Sequence, residues 1–175
     1  MVFKYKDRDV AVIAHRGGGL LFPENTISAF KGVQKLGVDA VECDVQLTMD
    51  GKLAVMHDPN LKRMAGIDKR ISEVTSDDIK KIILLNNEKI PMLDELIKDV
   101  DTRLIIELKS IETINPIFKI IYEQQESKDE TFLSPYFIRQ ETKRNQMRNH
   151  VCLVPQIPRE ELLLERNQLL LQIPL

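Results

Sequence analysis

With 175 residues, 43% of them apolar and 30% charged, the chain has an ordinary globular composition and the length of one compact domain or a partial copy of a larger one. A formal net charge of −2 and a pI near 6.0, with both signs interspersed, give no footing for nucleic acid. No apolar run approaches the ~18 residues of a membrane span, the opening MVFKYKDRDV lacks a signal-peptide core, and Cys43 and Cys152 form no C-x-x-C pair, so a reducing, cytoplasmic location is the expectation.

Residues 9–14, DVAVIA, are a short β-branched apolar run and predict a strand. It ends at His15-Arg16-Gly17-Gly18-Gly19, where three glycines predict an irregular loop suited to wrapping an anion. After Pro23-Glu24-Asn25-Thr26, the spacing of Ile27, Phe30, Val33 and Leu36 predicts a helix, capped by Asn25 or Thr26 and ended by Gly37. A second strand is predicted over residues 39–47, and Asp50-Gly51 turns the chain into a third over 53–56. Residues 59–90 are mixed, with Ser76-Asp77-Asp78 opening a helix whose Ile79, Ile82 and Ile83 share a face. Pro91 begins the next helix, with Leu93, Leu96, Ile97 and Val100 inward. Residues 103–108 read as a strand, and Asn115-Pro116 as the cap and start of a helix carrying Ile117, Phe118 and Ile121. This alternation is the pattern of an α/β fold with parallel strands. Beyond Glu123 the signal thins. QQESKDET is polar, FLSPYFI a short strand broken by Pro135, ETKRNQMRNH polar, VCLVP a further strand, and EELLLERNQLLLQIPL a leucine-rich tail without clear caps.

Chemistry gathers at the strand ends. Side chains alternate across a strand, so in VECDV Glu42 and Asp44 share one face while Val41, Cys43 and Val45 share the other. Burying two unpaired carboxylates would cost several kcal/mol each, about the scale of a protein's whole margin of stability. A divalent cation with oxygen ligands resolves that cost. The pattern repeats: Glu107 and Lys109 share a face with Ile105, His57 with Val55, and His15 with Ala11 and Ile13. Each lies at or just past a strand's C-terminal end, where α/β folds place ligands. Three carboxylates would hold the cation, two histidines would serve as general acid and base, and Arg16 and Lys109 would neutralise an anion. That set suits phosphoryl transfer better than acyl or glycosyl transfer, and reads as a metal-dependent phosphodiesterase. A strand-end carboxylate alone is more often a salt bridge or cap. Cys43, on the apolar face, reads as packing only, and His150 is given no role.

The residues also resemble a known family. His15-Arg16-Gly17, Pro23-Glu24-Asn25-Thr26, G-x-D-x-x-E-x-D-V at 37–45, T-x-D-G at 48–51, His57-Asp58, I-P-x-L-x-E at 90–95 and I-E-L-K at 106–109 look like the glycerophosphodiester phosphodiesterase family. The resemblance covers residues 9 to about 110 and fades after 125. It implies a TIM-type (β/α)₈ barrel with a small insertion after the second barrel strand, here residues 59–88. It also implies Glu42, Asp44 and Glu107 as ligands of one divalent cation, Mg²⁺ or Ca²⁺ with Mn²⁺ as a further candidate. His15 and His57 would be the acid/base pair, and Arg16 and Lys109 the phosphate contacts. The implied reaction is hydrolysis of a small glycerophosphodiester to sn-glycerol 3-phosphate and an alcohol, with the glycerol 2-hydroxyl attacking phosphorus and water opening the cyclic phosphate.

The chain departs from the family in its last third. Ser134-Pro135-Tyr136 is at most a degraded copy of a Ser-Ser-Phe-type strand, and the chain has no Trp for a W-T-V-N-type strand. A closed barrel of this type takes about 250 residues, so an incomplete one is expected over 1–175, with 125–175 divergent. Open edges would need covering, for example by a second copy of the chain. Two other readings stand beside the enzyme: a relic that binds a cation without turnover, and a phospholipase C or sphingomyelinase D relative. No exposed aromatic or apolar loop cluster is visible in the sequence to favour the lipid enzymes.

Overall fold

The computed structural model describes residues 11–127, 137–140 and 152–153. In chain order they form β1 (Ile13–Ala14), α1 (Ile27–Lys35), β2 (Ala40–Leu47), β3 (Leu53–Val55), the single-turn helices α2 (Lys62–Ala65) and α3 (Ser76–Ile79), α4 (Leu93–Asp99), β4 (Leu104–Leu108), α5 (Ile114–Ser127), β5 (Phe137–Gln140) and β6 (Cys152–Leu153). β1, β2, β4 and β5 lie side by side and parallel, while β3 pairs antiparallel with β2 and β6 with β5. The fold is α/β on a mainly parallel sheet, as the alternation of elements predicts. The expectations for Asp9-Val10, Ser134-Pro135-Tyr136, residues 141–150 and the leucine-rich tail fall outside the described residues. No helix among the described residues is long and apolar enough to cross a membrane.

Register decides which face of the sheet is core. Val41 pairs with Leu104, Cys43 with Ile106 and Val45 with Leu108, and all six side chains are buried. Phe30 and Val33 of α1, Leu93, Leu96 and Ile97 of α4, and Ile114 and Ile117 of α5 belong to the same cluster. Each fully buried Leu, Ile or Phe there contributes on the order of 1.5–3 kcal/mol relative to exposure. On the opposite face, Glu42 pairs with Ile105 and Asp44 with Glu107. Ile13, in register with Ala40, belongs to this second face by alternation and is half exposed.

The loop entering α1 is shaped by glycine. Gly17 and Gly18 have φ of +72 and +79, and a Cβ on Gly18 would lie 2.6 Å from Val33 Cγ1. Only glycine lets this backbone rest against the helix. Thr26 caps α1 by accepting from the Ala29 N–H at 3.2 Å.

The structure departs from several expectations. Leu36 falls beyond the last turn of α1 and is 63% exposed. α3 stops at Ile79, so Ile82 is only partly buried and Ile83 is exposed in a bridge to Lys89. α5 begins at Ile114, before Asn115-Pro116, and Pro116 sits in its first turn, where a missing N–H costs no intrahelical bond. Residues 54–92 also build a cluster of their own, from Ala54, Met56, Leu61, Ile71, Val74, Ile79, Leu84, Ile90 and Met92. This excursion between β3 and α4 is pinned back to the sheet. The Val55 N–H donates to the Pro91 carbonyl at 2.8 Å, and Asp50 accepts from both the Ser76 N–H and hydroxyl at 2.8 and 2.6 Å.

Candidate active site

Glu42, Asp44 and Glu107 are all buried, and each offers a carboxylate oxygen within 4.8 Å of the others. Alternation and register force this meeting: Glu42 and Asp44 are two apart on β2, and Glu107 lies directly beside Asp44 on β4. Lys109, next on the same face of the chain, places Nζ 2.8 Å from Asp44 Oδ1 and 2.6 Å from Glu107 Oε1. Burial opposes its charge, but those two carboxylates hold its ammonium above the ordinary lysine value. Burial and then the Asp44 charge push Glu42 up to about 7. Its Oε2 accepts from the Arg16 N–H at 2.9 Å, while its Oε1 is buried without a hydrogen-bond partner. A buried oxygen without a donor, among acids drawn close together, fits a divalent cation with oxygen ligands.

The loop between β1 and α1 supplies the next layer. His15 is largely exposed, with Nε2 3.8 Å from Glu42 Oε2. Arg16 takes a left-handed conformation, φ 52, which turns its side chain inward. Its Nε lies 3.5 Å from Asp44 Oδ2, within ion-pair range but without hydrogen-bond geometry, and its Nη1 lies 3.4 Å from Glu24 Oε2. The anion-wrapping expectation for Gly17 to Gly19 changes here. The Gly18 and Gly19 N–H groups both donate to the His15 carbonyl, at 2.9 and 3.2 Å, and so turn inward on the loop itself.

Asn25, a candidate cap and part of the Pro23-Glu24-Asn25-Thr26 motif in the sequence, has a further part here. It is buried at φ 56, its Nδ2 donates to Asp44 Oδ2 at 2.8 Å, and its Oδ1 accepts from the Asp44 N–H at 3.4 Å. Asp44 thus collects Asn25, Arg16 and Lys109, which fixes its orientation. An asparagine two residues after a proline, and just ahead of a capped helix, was the available signal for a left-handed residue with a fixed amide.

His57 arrives by another route. β3 runs antiparallel to β2, so its C-terminal end leads back beside the middle of β2 and not to a parallel strand's carboxyl end as expected. The Met56 N–H donates to the Asp44 carbonyl at 3.0 Å, and Gln46 Nε2 donates to the His57 carbonyl at 2.8 Å. His57 Nδ1 lies 2.8 Å from Asp58 Oδ1. Asp58 is held down at about 2, chiefly by its hydrogen bond with Arg63, so near neutrality it is ionised and can only accept. An ionised carboxylate against Nδ1 favours the proton on that nitrogen, which leaves Nε2 as the outward one. Arg63 Nε donates to Asp58 Oδ2 at 2.6 Å, and its Nη2 also pairs with Glu24. Cys43 lies on the opposite face of β2, where burial and then Glu42 and Asp44 push its thiol well above the ordinary value, consistent with the packing role read from sequence.

The sequence of residues 15–159 matches the model of the glycerophosphoryl diester phosphodiesterase family. The chain belongs to this family. A glycerophosphodiester phosphodiesterase of Caldanaerobacter subterraneus subsp. tengcongensis is 43% identical over 109 residues, 57% of this chain and 45% of that protein. Glycerophosphodiester phosphodiesterase 1 of Bos taurus is 38% identical over 107 residues, 56% of this chain and 32% of that one. The chain thus spans less than half the length of these family relatives. Among solved structures, a Thermotoga maritima glycerophosphodiester phosphodiesterase shares 30% identity with a TM-score of 0.61, over 75% of this chain and 54% of that one. A phosphodiesterase from Oleispira antarctica, solved with the product sn-glycerol-3-phosphate, shares 26% identity with a TM-score of 0.67, over 77% and 58%. His15, Arg16, Glu42, Asp44, His57, Glu107 and Lys109 all lie within the family match. The sequence did not reveal Asn25 as a partner of Asp44, Glu24 as a partner of Arg16, Asp58 as a partner of His57, or Arg63 as the partner of both Asp58 and Glu24. Nor did it reveal that Leu20 and Leu21, in the loop after Arg16, are exposed together at 103% and 71%.

Proposed function

We propose that the chain is a metal-dependent glycerophosphodiester phosphodiesterase, built on the arc of a (β/α)₈ barrel with residues 59–88 as an insertion. The observation that carries this reading is the buried Glu42-Asp44-Glu107 cluster with an unpartnered Glu42 oxygen, flanked by Arg16, Lys109 and His15. Glu42, Asp44 and Glu107 would hold one divalent cation, whose charge would draw in the phosphodiester and polarise its phosphorus. Arg16 and Lys109, now engaged with carboxylates, would turn part of their charge toward the phosphate. One histidine takes the proton of the glycerol 2-hydroxyl as that oxygen bonds to phosphorus. The other gives a proton to the alcohol oxygen as its bond to phosphorus breaks. The same pair then works in reverse while water opens the cyclic phosphate to sn-glycerol 3-phosphate. His57, with Asp58 behind its Nδ1, is suited to either role.

Purified chain should release glycerol 3-phosphate from glycerophosphocholine with Mg²⁺, Ca²⁺ or Mn²⁺ present, and EDTA should abolish that release. Cation binding by calorimetry without turnover on any diester would favour the inactive relic instead. Leu20 and Leu21 support a second reading, in which the substrate is a phospholipid met at a membrane surface. Faster turnover on phospholipid vesicles than on soluble diesters would select it.

Proton linkage supplies a further test. In the cation-free chain Glu42 releases its proton near 7, and it must be ionised to act as a ligand. With a group titrating at about 7, the ionised fraction rises about tenfold between pH 6 and pH 8, and cation affinity should rise with it. Calorimetry at the two pH values reads this directly, and equal affinities would remove Glu42 from the ligand set. The sign for stability is the reverse. The folded cation-free chain keeps a proton that the unfolded chain loses in the ordinary carboxylate range, so its stability falls as pH rises from about 4.5 through 7.

A further inference from the structure

The ion pairs that run from Arg16 to His57 lead to a residue on the excursion. Arg63 lies on α2, outside every motif that the sequence brought forward. Its Nε and Nη2 meet Asp58 Oδ2 and Oδ1 at 2.6 and 3.1 Å, a two-point grip that fixes the plane of the carboxylate. Asp58 Oδ1 is also the acceptor for His57 Nδ1. The same Nη2 reaches Glu24 Oε1, and Glu24 Oε2 faces Arg16. One guanidinium therefore touches both the carboxylate behind His57 and the carboxylate behind Arg16. Half-exposed ion pairs add little to stability, so the consequence of this one lies in geometry.

We propose that Arg63 is a positioning residue of this site: by gripping Asp58 at two points it holds His57 in the Nδ1–H tautomer with Nε2 presented for proton exchange, and through Glu24 it fixes the Arg16 loop in the same frame. An Asp58 released from Arg63 is free to rotate about its side-chain bonds. A neutral imidazole that loses its Nδ1 acceptor reverts to the Nε2–H form that water favours, and its outward nitrogen is then a donor and no longer a base. This is the logic by which a buried aspartate orients a catalytic histidine elsewhere, extended here by one residue. The turnover part rests on the diesterase reading, whereas the tautomer part does not.

The test reads the imidazole nitrogens of His57 by ¹⁵N-edited NMR in the full chain, with the signals assigned by their loss in His57→Gln. In the unsubstituted protein Nδ1 carries the proton in the neutral ring. In Arg63→Ala the balance moves toward Nε2–H, and kcat falls about 10- to 100-fold, the range seen when the partner of an oriented histidine is removed. KM rises through the Glu24–Arg16 link. Arg63→Lys keeps the charge without the fork and recovers part of both losses. Asp58→Ala gives the same nitrogen signature, and adding Arg63→Ala to it lowers kcat no further. A His57 tautomer unchanged in Arg63→Ala, or kcat losses that add in the double variant, overturns the proposal. A wild-type chain without turnover would sink the diesterase reading, while the nitrogen signals would still decide on Arg63.

Discussion

Asp44→Asn is expected to weaken divalent-cation binding by more than about a hundredfold and to abolish turnover, because loss of an outer partner alone costs about 10- to 100-fold. Two donors converge on this carboxylate, Asn25 Nδ2 and Lys109 Nζ, each at 2.8 Å, and the Arg16 guanidinium lies within ion-pair range at 3.5 Å. The asparagine that replaces it keeps the shape, so α1, β2 and β4 lose no packing. It removes the charge, however, and turns one acceptor into a donor facing Asn25 or Lys109. It also removes one of the causes that hold Glu42 high, so Glu42 should titrate lower in the variant. Calorimetry with Mg²⁺ and Ca²⁺ measures the first effect, and release of glycerol 3-phosphate the second. Undiminished cation affinity in a folded Asp44→Asn chain would move the cation site away from the three carboxylates.

His57→Ala should lower turnover about 10²- to 10⁴-fold, the usual worth of a positioned acid or base, with cation affinity left in place. The separation of the two effects is what identifies the role. His57 lies outside the carboxylate cluster and connects to it through the Met56 N–H bond to Asp44 and through Asp58, Arg63 and Glu24. His15→Ala should match it in size, because the two histidines would move the two protons of one displacement, one at the attacking oxygen and one at the leaving oxygen. Its effect on cation binding should be larger, since His15 stands 3.8 Å from Glu42. The pH profile distinguishes them further: each variant should remove one limb of a bell-shaped dependence of kcat/KM. A His57→Ala chain with turnover near that of the unsubstituted protein would exclude it as acid or base.

Much of this site was legible in the chain because strand alternation is rigid. Once Val41, Cys43 and Val45 are assigned to the core, Glu42 and Asp44 must share the other face, and Glu107 and Lys109 follow by the same rule. The hydrophobic period placed α1 and α4 nearly residue for residue, since Phe30, Val33, Leu93, Leu96 and Ile97 can be buried only if those segments are helical. Leu36 and Ile83 misled the same method, because periodicity continues past a helix end and does not register where the cap stops the chain.

By itself, then, the sequence determined the faces of β2 and β4: which side is apolar, which is charged, and that the charged side carries carboxylates and a lysine in an α/β frame. The tertiary structure decided the partners. That β4 sits directly beside β2, putting Glu107 against Asp44, depends on strand order, which no local pattern encodes. That β3 returns antiparallel and delivers His57 beside the middle of β2 depends on hairpin pairing. Asn25 on Asp44, and Arg63 on both Asp58 and Glu24, are contacts between residues 19, 5 and 39 positions apart, made by loop and helix ends. A sequence pattern reports the repeat within one element, whereas hydrogen-bond partners across elements follow only after the chain has been packed.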